Sequence, residues 1–126
     1  MNYKPIIIVA GEPNSIFLEI FFKSLKKLKT KKPLILIASH RLVKLQMKKL
    51  NFKKKIKIID EKNFLNLKLD NKSLNLININ YSTSKAFEKI SSKSNKYIKD
   101  SLEMAFKILK KHKINRLITG PISKKT

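Results

Sequence analysis

Two strand-to-turn sequences hold the residue types best suited to meet a ligand: Val9-Ala10-Gly11-Glu12-Pro13-Asn14 and Leu117-Ile118-Thr119-Gly120-Pro121-Ile122-Ser123-Lys124. Gly11 and Gly120 are the only two glycines in the chain. In an open α/β sheet, ligands settle beyond the strand C-termini, where loops and helix N-termini present unpaired N–H groups. Glu12, held between Gly11 and Pro13, either binds a cationic or hydrogen-donating ligand group or caps the helix that follows; both uses suit a helix N-terminus. In the second turn Thr119, Ser123, Lys124 and Lys125 surround Gly120-Pro121, a set that suits an anion or, alternatively, a solvated terminus.

Other chemistry is thinly supported. The two histidines, His40 and His112, lie far apart in sequence with no carboxylate or second histidine at ligand spacing, and the chain has no cysteine. A zinc-type site needs at least three protein ligands, so a metal centre built by this chain alone is not expected. His40 is expected in the first turn of a helix and His112 at a helix C-terminus, where the dipole favours a cation. Asp60-Glu61 read as solvated, and Asp100 and Glu103 as partners of Lys96, Lys99 and Lys107 at helical spacing. Neither turn matches a G-x-x-x-x-G-K-[ST] phosphate cradle, and no G-x-G-x-x-G occurs.

The elements that must position these turns follow from apolar patterning. Ile6-Ile7-Ile8-Val9-Ala10 is a β-branched run of the kind buried on both faces, expected centrally in a sheet. Asn14 or Ser15 is expected to cap a helix reaching about residue 29, with Ile16, Phe17, Ile20, Phe21, Leu25 and Leu28 on its apolar face. A second buried strand over 33–38 leads to a helix capped by Ser39, a third strand spans 55–59, and Asp70-Asn71 mark a turn before a fourth strand from Leu74. Segment 81–93 is ambiguous. Helical spacing resumes from about residue 94, with Ile98, Leu102, Ala105, Phe106 and Leu109 on one side, and 116–119 is the last strand. This order predicts one three-layer α/β/α domain with a largely parallel sheet.

The 126 residues carry a formal charge of +22, a balance that raises a small nucleic-acid or polyanion-binding module as an alternative. Arg41 and Arg116 are, however, the only arginines, and arginine is the residue that forks onto phosphates and bases. Lysine is spread over every polar segment among abundant Asn and Ile, which reads as a solvated surface set by coding composition. No run is long enough to span a bilayer and no secretory leader is visible, so a cytoplasmic protein without membrane or nucleic-acid partners is expected.

Taken together, the two turns resemble the N-terminal part of the 4-hydroxythreonine-4-phosphate dehydrogenase family of pyridoxal phosphate (vitamin B6) biosynthesis. That family opens with a strand followed by G-[DE]-P-x-G-I-G-P-[DE]; Gly11, Glu12, Pro13, Ile16 and Glu19 match, while Ser15, Phe17 and Leu18 replace Gly, Gly and Pro. Its later [IV]-T-[GA]-P-[IV]-x-K loop is matched by Ile118, Thr119, Gly120, Pro121, Ile122 and Lys124, and Asn95-Lys96-Tyr97-Ile98 resembles its G-x-Y-hydrophobic helix start.

The resemblance implies the N-terminal part of an isocitrate/isopropylmalate-dehydrogenase-like fold, with residues 1–126 as one α/β portion of a longer two-domain enzyme whose C-terminal portion is absent. It implies an NAD-dependent oxidoreductase that oxidises the phosphorylated hydroxy amino acid 4-phosphooxy-L-threonine, with decarboxylation, and that is a homodimer when complete. NAD and a divalent metal belong to the full-length family, and neither is expected to bind this fragment. Gly11, Glu12, Pro13, Thr119, Gly120, Pro121 and Lys124 are the expected substrate-cleft residues; no catalytic residue is assigned. An inert α/β remnant of the family is the other alternative.

Overall fold

The computed structural model describes residues 4–27, 30, 32–62, 69–81 and 92–120. Its elements are β1 (Ile6–Val9), α1 (Phe17–Leu25), β2 (Leu34–Ala38), α2 (His40–Lys49), β3 (Ile56–Ile58), β4 (Leu74–Asn78), α3 (Ser92–His112) and β5 (Leu117–Thr119). The strands form one five-stranded sheet in the order β3-β4-β2-β1-β5, and every neighbouring pair is parallel. A parallel sheet needs crossover connections, and their right-handed sense puts α1 and α2, which pack together, on one face and α3, which lies across β1 and β2, on the other.

Both faces of the sheet are therefore covered, which is why its inner strands are apolar without alternation. Ile7, Val9, Ile35, Leu36, Ile37 and Leu76 are fully buried. β1 is an interior strand, as its composition predicts, but the middle of the sheet is β2, whose five residues are all buried. On the α1 side Phe22 stacks on Phe52, with ring centroids 4.9 Å apart.

Local chemistry sets the helix ends. Ser39 caps α2 as its sequence predicts, its side chain accepting the Leu42 N–H at 3.2 Å. α2 ends on Asn51 at φ 54°, with the Phe52 N–H donated to the Met47 carbonyl at 2.9 Å, a Schellman closure built without glycine. α1 is shorter than its pattern suggests and its N-cap, Ile16, has no side-chain cap bond. Leu28 lies outside the described residues, and Ile16 and Ile20, expected on the core face, are 63% and 51% exposed.

Asparagines tie the sheet to its loops. Asn71 accepts the Leu34 N–H at 2.9 Å, Asn75 donates to the Leu34 and Asp70 carbonyls at 3.1 and 2.8 Å, and Asn78 accepts the His40 N–H at 2.8 Å. The expected turn at Asp70-Asn71 is present, with Asp70 Oδ1 accepting the Lys72 N–H at 3.0 Å.

A longer link joins α3 to α2. The Tyr97 hydroxyl is buried and accepts the Ser39 N–H at 2.8 Å, while its ring packs on Tyr81 at 4.9 Å between centroids. Burial pushes this hydroxyl well above the ordinary tyrosine range, although the Ser39 bond acts in the opposite direction. A raised folded-state value favours the neutral form, so this contribution holds below the unfolded value of about 10 and is lost as pH rises beyond it. Tyr97→Phe keeps the ring but removes the acceptor, with an expected cost of about 1–3 kcal/mol at neutral pH. Urea unfolding at a series of pH values checks both points: the alkaline loss of stability should be shallower in Tyr97→Phe than in the wild type.

Candidate functional site

β1 and β5 are neighbours in register, with Val9 opposite Thr119, so the two glycine turns leave the sheet side by side at its C-terminal edge. The chain moves from β1 to β2 in one direction along the sheet and from β4 to β5 in the other, with the intervening helices on opposite faces. The β1/β5 junction is thus a topological switch point, the place where an open α/β sheet leaves a crevice.

The glycines have separate reasons. Gly11 has φ 74°, a conformation that costs other residues a steric contact with their own Cβ. Gly120 sits where the backbones meet: its N–H donates to the Val9 carbonyl at 2.7 Å, and a Cβ there would collide with the Ala10 carbonyl oxygen and lie 2.8 Å from Phe17 Cγ. The first turn is closed by Ser15, whose N–H and Oγ donate to the Glu12 carbonyl at 3.2 and 2.9 Å and whose Oγ accepts the Phe17 N–H at 3.3 Å. Two of the positions that depart from the family's glycines are therefore used locally. Ser15 supplies turn hydrogen bonds and Phe17 packs over Gly120.

Glu12 is only 6% exposed. Its Oε1 is 3.4 Å from the Asn14 N–H, and its Oε2 has no hydrogen-bond partner among the described residues. The first-turn amide of α1 is served by Ser15 rather than by this carboxylate, so the capping role falls to a different residue. The turn is also tied to α2 by a contact absent from any local pattern: Gln46, fully buried on α2, donates Nε2 to the Pro13 carbonyl at 3.0 Å. Thr119 is exposed at the tip of β5, its Oγ1 donating to the Gly120 carbonyl at 2.9 Å. The structure thus brings Gly11, Glu12, Pro13, Thr119 and Gly120 to one edge. Pro121 and Lys124 lie outside the described residues, as do Ile122, Ser123 and Lys125.

The remaining polar candidates are dispersed. His40 opens α2 and His112 closes α3, where its Nε2 lies 3.3 Å from the Glu61 carbonyl oxygen. Glu61, expected in solvent, pairs with Lys107 at 3.2 Å, so Lys107 reaches across to the β3–β4 connection instead of along its own helix. Among the described residues no three His, Cys, Asp or Glu side chains gather as a metal would require, so they do not fit a divalent-metal centre. A concavity of about 690 Å³ beside α2 is lined by His40, Lys44, Lys53, Lys54 and Lys55 over Met47 and Ile56. Tyr81 and Tyr97, the described tyrosines that would serve as stacking platforms for a nucleic acid, are buried. No helix among the described residues is long and apolar enough to cross a membrane.

Fold and site edge together define a three-layer α/β domain with a parallel sheet and its crevice at the β1/β5 switch point. Solved structures with this arrangement include a 4-hydroxythreonine-4-phosphate dehydrogenase from Burkholderia phymatum, which is similar over 98% of this chain with TM-score 0.80 and 19% identity. The enzyme of the same name from Klebsiella pneumoniae is similar over 97% of the chain with TM-score 0.82 and 17% identity. The chain spans 38% of the length of each, and at these identities the likeness is one of fold. No protein-family model and no curated protein matches the sequence.

Proposed function

We propose that this chain is the N-terminal portion of an NAD-dependent 4-hydroxythreonine-4-phosphate dehydrogenase, an oxidoreductase of pyridoxal phosphate biosynthesis acting on a small phosphorylated hydroxy amino acid. The observation that carries the reading is the convergence of both family-like turns on the β1/β5 switch point, in a fold matched along 98% of the chain. On this reading residues 1–126 form one wall of the substrate cleft of a two-domain, homodimeric cytoplasmic enzyme. The described residues offer no metal site, so the divalent metal and NAD would be held by residues beyond them.

The chain's own residues then bind and orient. Gly120 lets the exits of β1 and β5 approach each other closely, and the positive φ of Gly11 turns the first loop across the strand end, so the two turns together shape the cleft wall. Glu12 offers its second carboxylate oxygen to a hydrogen donor of the ligand, which offsets the cost of burying an unpaired acceptor. Lys124 holds an anionic group, or orders the loop that does, and Thr119 stands at the same rim.

The test uses a protein that joins this chain to the remainder of the fold. Lys124→Ala should lower kcat/KM for 4-phosphooxy-L-threonine by roughly 10- to 100-fold, the worth of one charge-assisted hydrogen bond, while Lys125→Ala does much less. Equal and negligible effects of the two substitutions would return the loop to a solvated surface and remove the anion-binding role.

A further inference from the structure

The edge of the sheet remote from β5 is formed by β3, which among the described residues pairs only with β4. The Lys55 carbonyl accepts the Leu74 N–H at 2.8 Å and the Ile59 N–H donates to the Leu76 carbonyl at 2.9 Å, so residues 55, 57 and 59 turn their main-chain groups to β4. Backbone groups alternate sides along a strand, which leaves the N–H and C=O of Ile56 and Ile58 on the open side. Ile56 faces the α2 side, where it lines a concavity with Met47; Ile58, two residues on, shares that face and is 50% exposed.

Lysine is abundant throughout a chain of net charge +22, but here it is arranged around an apolar floor. His40, Lys44 and Met47 recur on one flank of α2 at helical spacing, and Lys53-Lys54-Lys55 lead directly into Ile56. No carboxylate lines the concavity, and the acids that follow β3 are engaged elsewhere. Asp60 Oδ1 accepts the Lys62 N–H at 2.9 Å, and Glu61 pairs with Lys107 of α3, on the other face of the sheet. Among the described residues the four rim lysines have no ion-pair partner.

An apolar floor, a basic rim and a row of open main-chain groups together match an extended peptide that carries carboxylates. A second copy of this chain does not fit, since it brings its own +22 and Lys57 within the strand opposes like-charged pairing. A nucleic acid fits less well: neither an arginine nor an aromatic ring lines the concavity, and the neighbouring Phe52 is stacked on Phe22. We infer that the groove between α2 and β3 docks an acidic segment of a partner protein as an added strand on β3. Ile56 and Ile58 pair with its main chain, an apolar side chain rests on Met47 and Ile56, and its carboxylates meet Lys44 and Lys53-Lys54-Lys55. This docking edge lies beyond β4 and β2 from the β1/β5 crevice and does not depend on the proposed activity.

A fluorescently labelled, end-blocked peptide of about eight alternating Glu and Val residues is titrated into the 126-residue chain at low salt, followed by anisotropy and by amide exchange at single residues. Saturable binding is expected, with the Ile56 and Ile58 amides slowed at least about tenfold and the Leu117 amide of the other edge strand unchanged. The fully N-methylated peptide, which keeps the charge but donates no main-chain hydrogen bond, should bind at least about tenfold more weakly. Lys44→Glu combined with Lys53→Glu should weaken the parent peptide by about tenfold or more, whereas Lys110→Glu combined with Lys111→Glu, the same charge change on α3, should do much less. No saturable binding, equal binding of the two peptides, unchanged exchange at Ile56 and Ile58, or equal losses from the two double variants would overturn the docking strand. An oligouridylate of the same length that binds more tightly at physiological salt would assign the groove to nucleic acid and overturn it as well. Should the groove variant fail to fold, the two peptides and the exchange pattern of the wild type decide.

Discussion

Gly120→Ala is expected to destabilise the chain by about 3 kcal/mol, at the upper end of what overpacking usually costs. The reason lies in what the new methyl meets. A flexible side chain could swing aside, but the main obstacle here is the Ala10 carbonyl oxygen, part of the turn leaving β1, with the Phe17 ring behind it. Relief requires β5 to move away from β1, which stretches the Gly120 N–H bond to the Val9 carbonyl. For a domain of this size the loss corresponds to a melting temperature lower by on the order of 10 °C. Gly11→Ala should cost less, about 1–2 kcal/mol, because a positive φ strains only its own residue. Thermal and urea unfolding of the two variants beside the wild type check the ranking; Gly120→Ala within a few tenths of a kcal/mol of wild type would show that the strands part freely.

The second large effect concerns catalysis by the 126-residue polypeptide alone. Metal-dependent NADH formation from 4-phosphooxy-L-threonine should be undetectable, a deficit of at least about a million-fold against a working enzyme. Two histidines and no cysteine are a poor supply of metal ligands, and the histidines close different ends of the domain, His40 at the start of α2 and His112 at the end of α3. The glycine turns can shape a cleft wall, but among the described residues no three His, Cys, Asp or Glu side chains gather to hold the metal that would polarise the alcohol. Purified chain assayed at 340 nm with NAD and a divalent cation, beside a protein containing the whole fold, checks the point. Turnover by the short chain would overturn this expectation.

Much of the scaffold was legible in the sequence because it depends on neighbours along the chain. Unbroken β-branched runs marked strands buried on both faces, Ser39 marked the start of α2, and glycine followed by Pro or Glu-Pro marked the strand exits. The same local signals identified Gly11, Glu12, Pro13, Thr119 and Gly120 as residues of strand-exit turns, and the family resemblance linked them in one cleft. Ile16 and Ile20 show where periodicity misleads: their helical spacing is apolar, yet they lie on the flank of α1 that the described residues leave uncovered.

By itself the sequence determined element types, the turn glycines, the shortage of metal ligands and the lysine-rich surface, all consequences of side-chain chemistry or of spacing along a few turns of chain. Tertiary structure alone decided the strand order, which sets β5 beside β1 and so brings residues more than a hundred positions apart to one edge. It also decided that Gln46 donates to the Pro13 carbonyl while Glu12 is buried, that Tyr97 holds Ser39, and that Ile118 and Phe106 are left exposed. The physical reason is that local pattern fixes which face of an element avoids water, whereas the surface that covers that face is chosen by long-range packing and strand pairing.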